Sequence, residues 1–457
     1  MKNKNLQKWV SELLEDSEEE MLLDDDLTGY SSSNDTGDVS DDNGELGESD
    51  QEDSYQEDDD TLSTYIETYG NESDAIWHEN TKSIPSFPFN ESGGVCGEIQ
   101  NDATPRMVFQ KFFDEDIINL LTSSCNAYGK KLENNDTKPS TRKRPKIIFP
   151  ETSKDEMLKF LGLCLLQGQN RKPSIKKMFS KNKLYYQLVF AAVMSGRRFQ
   201  QILRCFSYHE SYEQVKWTGK LEKVIPLLNL VLRSFRNNYR PNKELSLDES
   251  LMLFKGRLSF KQYNKGTRAK YGIKFYELTS NDGFILNAEI YAGKVIEDTI
   301  GSKTKTVVLK LMDSFLNRGH HLFMDNYYNS VKLSQTLLHY KTHTTGTLRF
   351  NRKPNPKCIT TKKLKNGEMI WRRTGNVYVT KWKDKRDVLS ITTAHHPCLI
   401  EVSNRRGQKQ MKPIDVVAYN ARKTIRWYKE VLFHILDMAV WNSYCMFKHN
   451  SKRNISI

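Results

Sequence analysis

The sequence predicts an α/β layered domain that follows an all-α unit, with a basic β-rich stretch behind it and a long acidic tail in front. Two patterns carry this reading. From Ser153 to residue 237 apolar residues recur at helical spacing, whereas residues 244–350 alternate period-two runs with helical runs. A third observation marks a site. The run ELSLDESLMLFKG, Glu244–Gly256, alternates apolar and polar residues around the acidic pair Asp248-Glu249, and HHLFMDNYYNS carries Asp325 after four mostly apolar residues. Acids at the ends of two strands suit two-metal phosphoryl transfer, in which carboxylates hold divalent cations ~3.5–4 Å apart. The same positions also suit plain turn acids.

Taken in order, residues 1–104 are rich in acids and Ser, with few aliphatics after Leu27. Such a stretch cannot bury enough apolar surface to offset chain entropy, so it is expected to be disordered. Residues 6–23 could form a short amphipathic helix with Leu6, Trp9, Val10 and Leu13 on one face, either transient or partner-binding. The acidic tract would screen the basic body, mimic nucleic acid, or simply keep the chain soluble.

Residues 105–243 are expected to be helical. Phe109, Phe112, Phe113, Ile117, Leu120 and Leu121 fall at helical spacing. A basic loop follows, with Lys138, Arg142, Lys143, Arg144 and Lys146 in and around TRKRPK; it reads as a nuclear localisation signal, a phosphate contact or a solvated loop. The runs EMLKFLGLCLLQG, IKKMFSK, LYYQLVFAAVM, RRFQQILRCFSY and LEKVIPLLNLVLRSFRN continue the helical pattern. Residues 244–350 then read strand, strand, strand, helix, strand, helix, strand. Residues 351–410 are rich in Lys and Arg, with short strand signals in MIWRR, VYVTKW, DVLSITT and CLIEVS, and look like a β-rich insertion. A C-terminal helix over 422–450 carries Ile425, Tyr428, Val431, Leu432, Ile435, Leu436 and Ala439 on one stripe, with Arg426, Glu430 and Asp437 opposite.

Composition narrows the function. The 457 residues hold 69 Lys+Arg and 57 Asp+Glu, a net of +12. The charge is divided unevenly. Residues 1–80 carry 3 basic and 26 acidic residues, a net of −23, and the remaining 377 carry 66 and 31, a net of +35. A body this positive points to a polyanionic partner, nucleic acid first. No run approaches the ~18–20 apolar residues of a membrane span, and the N-terminus lacks a signal-type apolar core. Cys96, Cys125, Cys164, Cys205, Cys358, Cys398 and Cys445 form no CxxC pair. They read as reduced thiols of a cytosolic or nuclear protein, with no zinc expected. His320-His321 and His395-His396 show no ligand spacing and read as polar flanks of strands.

The runs SLDESLMLFKGRLSFKQY, KYGIKFYEL, FMDNYYNS, GTLRFNRK, KWKDKRDVLSITT and KPIDVVAYN, with FLGLCLLQGQNRKPSIKKMFS, RRFQQILRCFSY and RWYKEVLFHILDMAVWNSY, occur in this order over about 105–450. They resemble the piggyBac-type DNA transposases and the host proteins derived from them. The resemblance implies an RNase H-like catalytic domain over 244–350, continuing at 411–421, with a β-rich basic insertion at 351–410. It also implies a helical dimerisation and DNA-binding unit at 105–243, completed by 422–450. It assigns Asp248 and Asp325 to the first two members of an Asp-Asp-Asp cluster that binds Mg²⁺. The implied chemistry is water attack on a phosphodiester, then attack of the freed 3′-hydroxyl, at TTAA sites and through hairpin intermediates.

Two departures accompany the resemblance. In the family a Gly-Val-Asp-x-x-Asp segment with the third aspartate follows the Tyr-Asn pair, whereas here Tyr419-Asn420 runs straight into Ala421-Arg422-Lys423. Asp415 and Glu401 are the nearby acids that could stand in. The family's C-terminal cysteine-rich zinc module has no counterpart up to Ile457, so end-specific recognition is expected to be weakened.

Three functions follow as expectations. The first is a transposase-derived nuclear protein that binds double-stranded DNA and is impaired in transposition. The second is an active Mg²⁺-dependent transposase. The third is a chromatin or protein-interaction factor acting through its acidic tail. A homodimer and no membrane are expected. DNA contact is expected at Lys255, Arg257, Lys261, Lys265, Arg268, Lys270 and Lys274, interleaved with Tyr263, Tyr271 and Tyr276 for base stacking. Arg349, Arg352, Lys353, Lys357, Lys362, Lys363 and Lys365 would extend the track.

Overall fold

Serine and threonine caps start the helices where the periodicity places them. Thr104 accepts a hydrogen bond from the Met107 N–H ahead of Pro105–Phe112, Ser153 from Glu156 ahead of Lys154–Gln169, and Ser195 from Arg198 ahead of Gly196–Cys205. The helices Glu115–Asn135, Ile175–Met178, Leu188–Val193 and Ile225–Asn238 complete the region before the sheet. The computed structural model describes residues 75–97, 103–135, 148–207 (save 171, 173, 183 and 184), 221–254 (save 223), 258–263, 271–293, 303–403, 409–420 and part of 438–446. All of these fall in one compact unit, Asp58–Ile457.

Thirteen strands occur among the described residues. β1 (Gly94–Val95) pairs antiparallel with β2 (Tyr239–Arg240). The main sheet takes β3 (Glu244–Leu253), β4 (Gln262–Tyr263), β5 (Tyr271–Ser280), β6 (Ile285–Ile290), β7 (His321–Met324), β8 (His343–Thr347), β9 (Met369–Thr374), β10 (Val377–Lys383) and β11 (Asp387–Thr392). A separate ribbon pairs β12 (Leu399–Ser403) with β13 (Lys409–Pro413). The order across the main sheet is β4-β5-β3-β7-β8-β11-β10-β9, and β6 also pairs with β5. β3, β7 and β8 run parallel, and every other pairing is antiparallel. The helices Lys303–Met312 and Val331–His339 make the crossovers into β7 and β8.

The strands read from 369–392 do not fold apart. β11 pairs with β8 through Ser390↔Thr347 to Thr392↔Thr345, so one sheet runs through both sides of position 350. A small second core of Val331, Leu348, Ile359, Val377, Val379, Leu389 and Ile391 lies under that extension. The larger core joins the helical region to the other half of the sheet. Phe112 and Phe235 pack edge-on at 5.5 Å, and both reach Phe284 in the β5–β6 turn. Phe284 also stacks on Tyr239 at 4.1 Å.

Most of the predicted C-terminal helix, 421–437, lies outside the described residues, as do residues 1–74. Met438, Ala439, Cys445 and Met446 are buried in the larger core. Asn442 caps the sheet edge: its Oδ1 accepts from the Ile285 N–H at 2.9 Å, and its Nδ2 donates to the Ile285 carbonyl at 3.0 Å. Among the described residues no helix is long and apolar enough to cross a membrane.

Residues 75–97 correct the expectation of a disordered tail extending to 104. They form an extended strap across the sheet. His78 bridges to Arg373 of β9, and Trp77 packs on the second core. The Lys82 N–H donates to the Tyr378 hydroxyl at 2.8 Å, and that hydroxyl donates to the Lys82 carbonyl at 2.9 Å. The Pro85 carbonyl lies 3.1 Å from His343 Nε2. Phe87 lies on His343, Phe89 on His320, and Glu91 pairs with Arg318. The strap ends in β1. Its own residues supply Ile76, Trp77, Ile84, Phe87, Phe89 and Val95, an apolar content hidden when averaged with the acid-rich residues before it.

Candidate active site

β3 and β7 bring the two aspartates side by side. Their parallel register runs from Glu244↔His321 to Leu247↔Met324, so Asp248 and Asp325 directly follow the last paired residues on neighbouring strands. Both are at the end of the parallel pairing opposite the strap. β7 stops there because Asp325 folds back into an Asx turn, its Oδ1 accepting the Tyr327 N–H at 2.8 Å.

The electrostatics of the pair involve a third acid. The Asp325 carboxyl is held above the ordinary carboxylate range, first by burial, then by the charge of Glu249, with Asp248 adding to it. The Tyr327 N–H and Arg349 act in the opposite direction. Glu249 is itself paired with Lys274 at 3.1 Å. Lys274 lies over two rings, Tyr276 at 4.8 Å and Tyr327 at 4.5 Å, and Arg349 covers Tyr327 at 5.3 Å. Glu249 was visible in the sequence as half of an acidic pair. Its partner was not, because Lys274 reaches it only through the β3–β5 register that sets Glu249 opposite Tyr276.

The other predicted contact residues separate. Lys274 serves Glu249 and two tyrosines, so it is not a plain phosphate ligand in this arrangement. Lys261 lies 5.4 Å over the Tyr271 ring, and Tyr271 pairs with exposed Tyr263 at 4.8 Å on the β4–β5 edge. Lys255, Arg257, Lys265, Arg268 and Lys270 lie outside the described residues. Lys353, Lys357, Lys362, Lys363 and Lys365 are exposed. Arg352 instead donates to the Tyr327 carbonyl at 2.5 Å.

Neither stand-in acid joins the aspartates. Asp415 is buried at the start of the helix Ile414–Asn420 and accepts from the Ser390 hydroxyl at 2.6 Å and from the Val416 N–H at 3.0 Å. By register Ser390 is level with Thr347, two strand spacings, about 10 Å, from Asp325. Elsewhere on these strands a buried polar row joins His321 to Thr345 at 2.9 Å and Thr345 to Thr392 at 2.8 Å. Glu401 pairs with Lys409 in the β12–β13 ribbon at 3.1 Å.

Burial pushes the Asp415 carboxyl above its usual range. The fold therefore favours the protonated form. The penalty for charging it is present at neutral pH and lifts as pH falls below the ordinary value. Asp415→Asn is thus expected to raise the melting temperature by about 3 °C at pH 7, with the gain gone near pH 4. Thermal melts at both pH values check this.

The paired carboxylates are hard oxygen donors and fit a divalent cation that keeps part of its water shell, as Mg²⁺ does with one or two carboxylates. Among the described residues no group of three or more His, Cys, Asp or Glu is arranged to hold a metal ion.

The chain matches known proteins over most of the described region. The family model described as Transposase IS4 matches residues 104–425. PiggyBac transposable element-derived protein 2 of Homo sapiens is 21% identical over 380 residues, covering 75% of this chain and 61% of that protein. PiggyBac transposable element-derived protein 3 of Homo sapiens is 23% identical over 384 residues, covering 76% and 61%. The chain thus spans less than two thirds of these relatives. Among solved structures, the cryo-EM structure of a piggyBac transposase synaptic complex with hairpin DNA matches with a TM-score of 0.67 at 21% identity, over 79% of this chain and 78% of that one.

Proposed function

From the premise that this chain belongs to the piggyBac-type transposase family and has its RNase H-like fold, we propose that it is a transposase-derived nuclear protein that binds double-stranded DNA and is impaired in cut-and-paste transposition. The observation that carries this is the pair Asp248 and Asp325, which directly follow the last β3–β7 register pair, with no group of three or more His, Cys, Asp or Glu arranged to hold a metal ion among the described residues. A divalent cation on that pair would supply Lewis-acid polarisation of a phosphodiester. Two carboxylates hold such an ion less firmly than three and leave its geometry under-determined. The Tyr-Asn pair that precedes the family's third aspartate is present as Tyr419-Asn420, and the sequence continues Ala421-Arg422-Lys423.

DNA binding is supported by the net of +35 outside residues 1–80. It is supported also by the exposed Tyr263–Tyr271 pair with Lys261 above it. The structural relative is described as a synaptic complex with hairpin DNA, which favours the same partner.

The test is cleavage and binding of labelled duplexes carrying TTAA-flanked terminal repeats, with Mg²⁺ or Mn²⁺. Binding without cleavage is expected, weakening about 10³-fold or more between 50 and 200 mM salt as phosphate contacts release counterions. Asp325-dependent nicks or hairpins would favour an active transposase instead. A salt-independent affinity would sink the DNA-binding reading and shift weight to the acidic tail.

A further inference from the structure

We infer that Asn329 is the positioning residue of the acidic pair: its carboxamide fastens the backbone at Asp325 to strand β8. The inference rests on the reading that Asp248 and Asp325 work together. Asn329 is fully buried. Its Nδ2 lies within hydrogen-bond distance of three carbonyls, those of Met324 at 2.8 Å, Asp325 at 3.1 Å and Thr347 at 2.9 Å, and its two N–H groups serve them with one bond bifurcated. Met324 is the last residue of the β7–β8 ladder, so Asp325 is the first residue that no strand partner holds. Asn329 supplies the hold that the ladder stops providing.

The orientation of the amide follows from its surroundings. Three carbonyl oxygens face it, all acceptors, so the two donors of the NH₂ end and not the carbonyl oxygen must point at them. Its Oδ1 is buried with no hydrogen-bond partner, so the group is retained for its donors. Gly346 makes the space. A Cβ there would fall 1.8 Å from the Met324 carbonyl oxygen and 2.4 Å from Asn329 Nδ2. The remaining freedom of the turn is removed by the Tyr327 N–H on Asp325 Oδ1 and by Arg352 on the Tyr327 carbonyl. One oxygen of Asp325 thus belongs to the turn, and the carboxylate has a set direction before any ligand arrives.

The experiment compares the full chain with Asn329→Leu, and with Asn329→Ser should the first fail to fold. The control is Thr344→Val, which removes a buried hydrogen bond to Ser334 from the same strand. Hydrogen exchange is followed by mass spectrometry, and Mn²⁺ affinity by calorimetry with the metal alone. The Asn329 variant is expected to exchange at least about tenfold faster in peptides covering 325–330, with β3 and β5 unchanged. Its Mn²⁺ affinity is expected to fall about 10–100-fold, as for residues that orient a metal ligand. The control should show neither effect. Exchange that rises evenly across the sheet, or unchanged Mn²⁺ affinity where Asp325→Asn lowers it, overturns the inference. If Asp325→Asn leaves Mn²⁺ binding intact, the metal reading fails, and the exchange result still decides the role of Asn329.

Discussion

A chain that begins at Ala75 is expected to melt with the full-length protein, and one that begins at Ala103 to melt about 5–10 °C lower. The first keeps every contact described here. The second loses the whole strap: the His78–Arg373 bridge, the reciprocal Lys82–Tyr378 hydrogen bonds, the Pro85 contact to His343, and the β1–β2 pairing. It also uncovers the surfaces that Trp77, Phe87 and Phe89 shield, each worth roughly 1–2 kcal/mol for partly buried aromatic groups. The sum, about 4–6 kcal/mol, converts at roughly 2 °C per kcal/mol or less in a chain of this size. The strap crosses the strand ends opposite Asp248 and Asp325, so the shorter chain should lose stability before DNA affinity measured well below its melting point. Equal melting temperatures for the two truncations would show that the strap holds nothing.

The acidic pair gives the second large effect, and its sign depends on metal. Without a divalent cation, Asp325→Asn should melt higher than the parent at pH 7. Burial and the neighbouring charges of Glu249 and Asp248 raise the Asp325 carboxyl, so the folded chain prefers it protonated. The destabilisation from its charge is present above the raised value and disappears as pH falls below the ordinary ~3.9. The advantage of the variant should therefore fade toward pH 4. With Mn²⁺ or Mg²⁺ the order reverses. A cation that binds only the folded parent adds about 2.7 kcal/mol at a hundredfold excess over Kd, and the variant lacks one of its two ligands. Melting curves of parent and variant, with chelator and with metal at two pH values, test both signs. A parent that is unmoved by metal at millimolar concentration would mean that the two remaining aspartates bind no ion.

Local order determined much of this protein. Strand-like runs marked β3, β5 and β6, and a short apolar run marked β7, which is buried along its whole length. Apolar spacing marked the helices, and in the structure Thr104, Ser153 and Ser195 cap three of them. The motifs from 105 onward carried the family, and the proposal that Asp248 and Asp325 hold a cation rests on that resemblance. Long-range register decided the rest. Whether β9–β11 form a separate module or continue the sheet depends on the Ser390↔Thr347 pairing, which no local pattern encodes. The strap was averaged away by an acidic neighbourhood, and its ordering comes from segments more than 140 residues distant along the chain. Asp415, near the Tyr-Asn pair in sequence, is taken up by Ser390 two strands away from the aspartates. Lys274, read as a phosphate ligand, is claimed by Glu249 across the β3–β5 ladder. Residue type and periodicity act over a few residues, whereas a charge or a hydrogen-bond donor is assigned by what the folded chain brings against it.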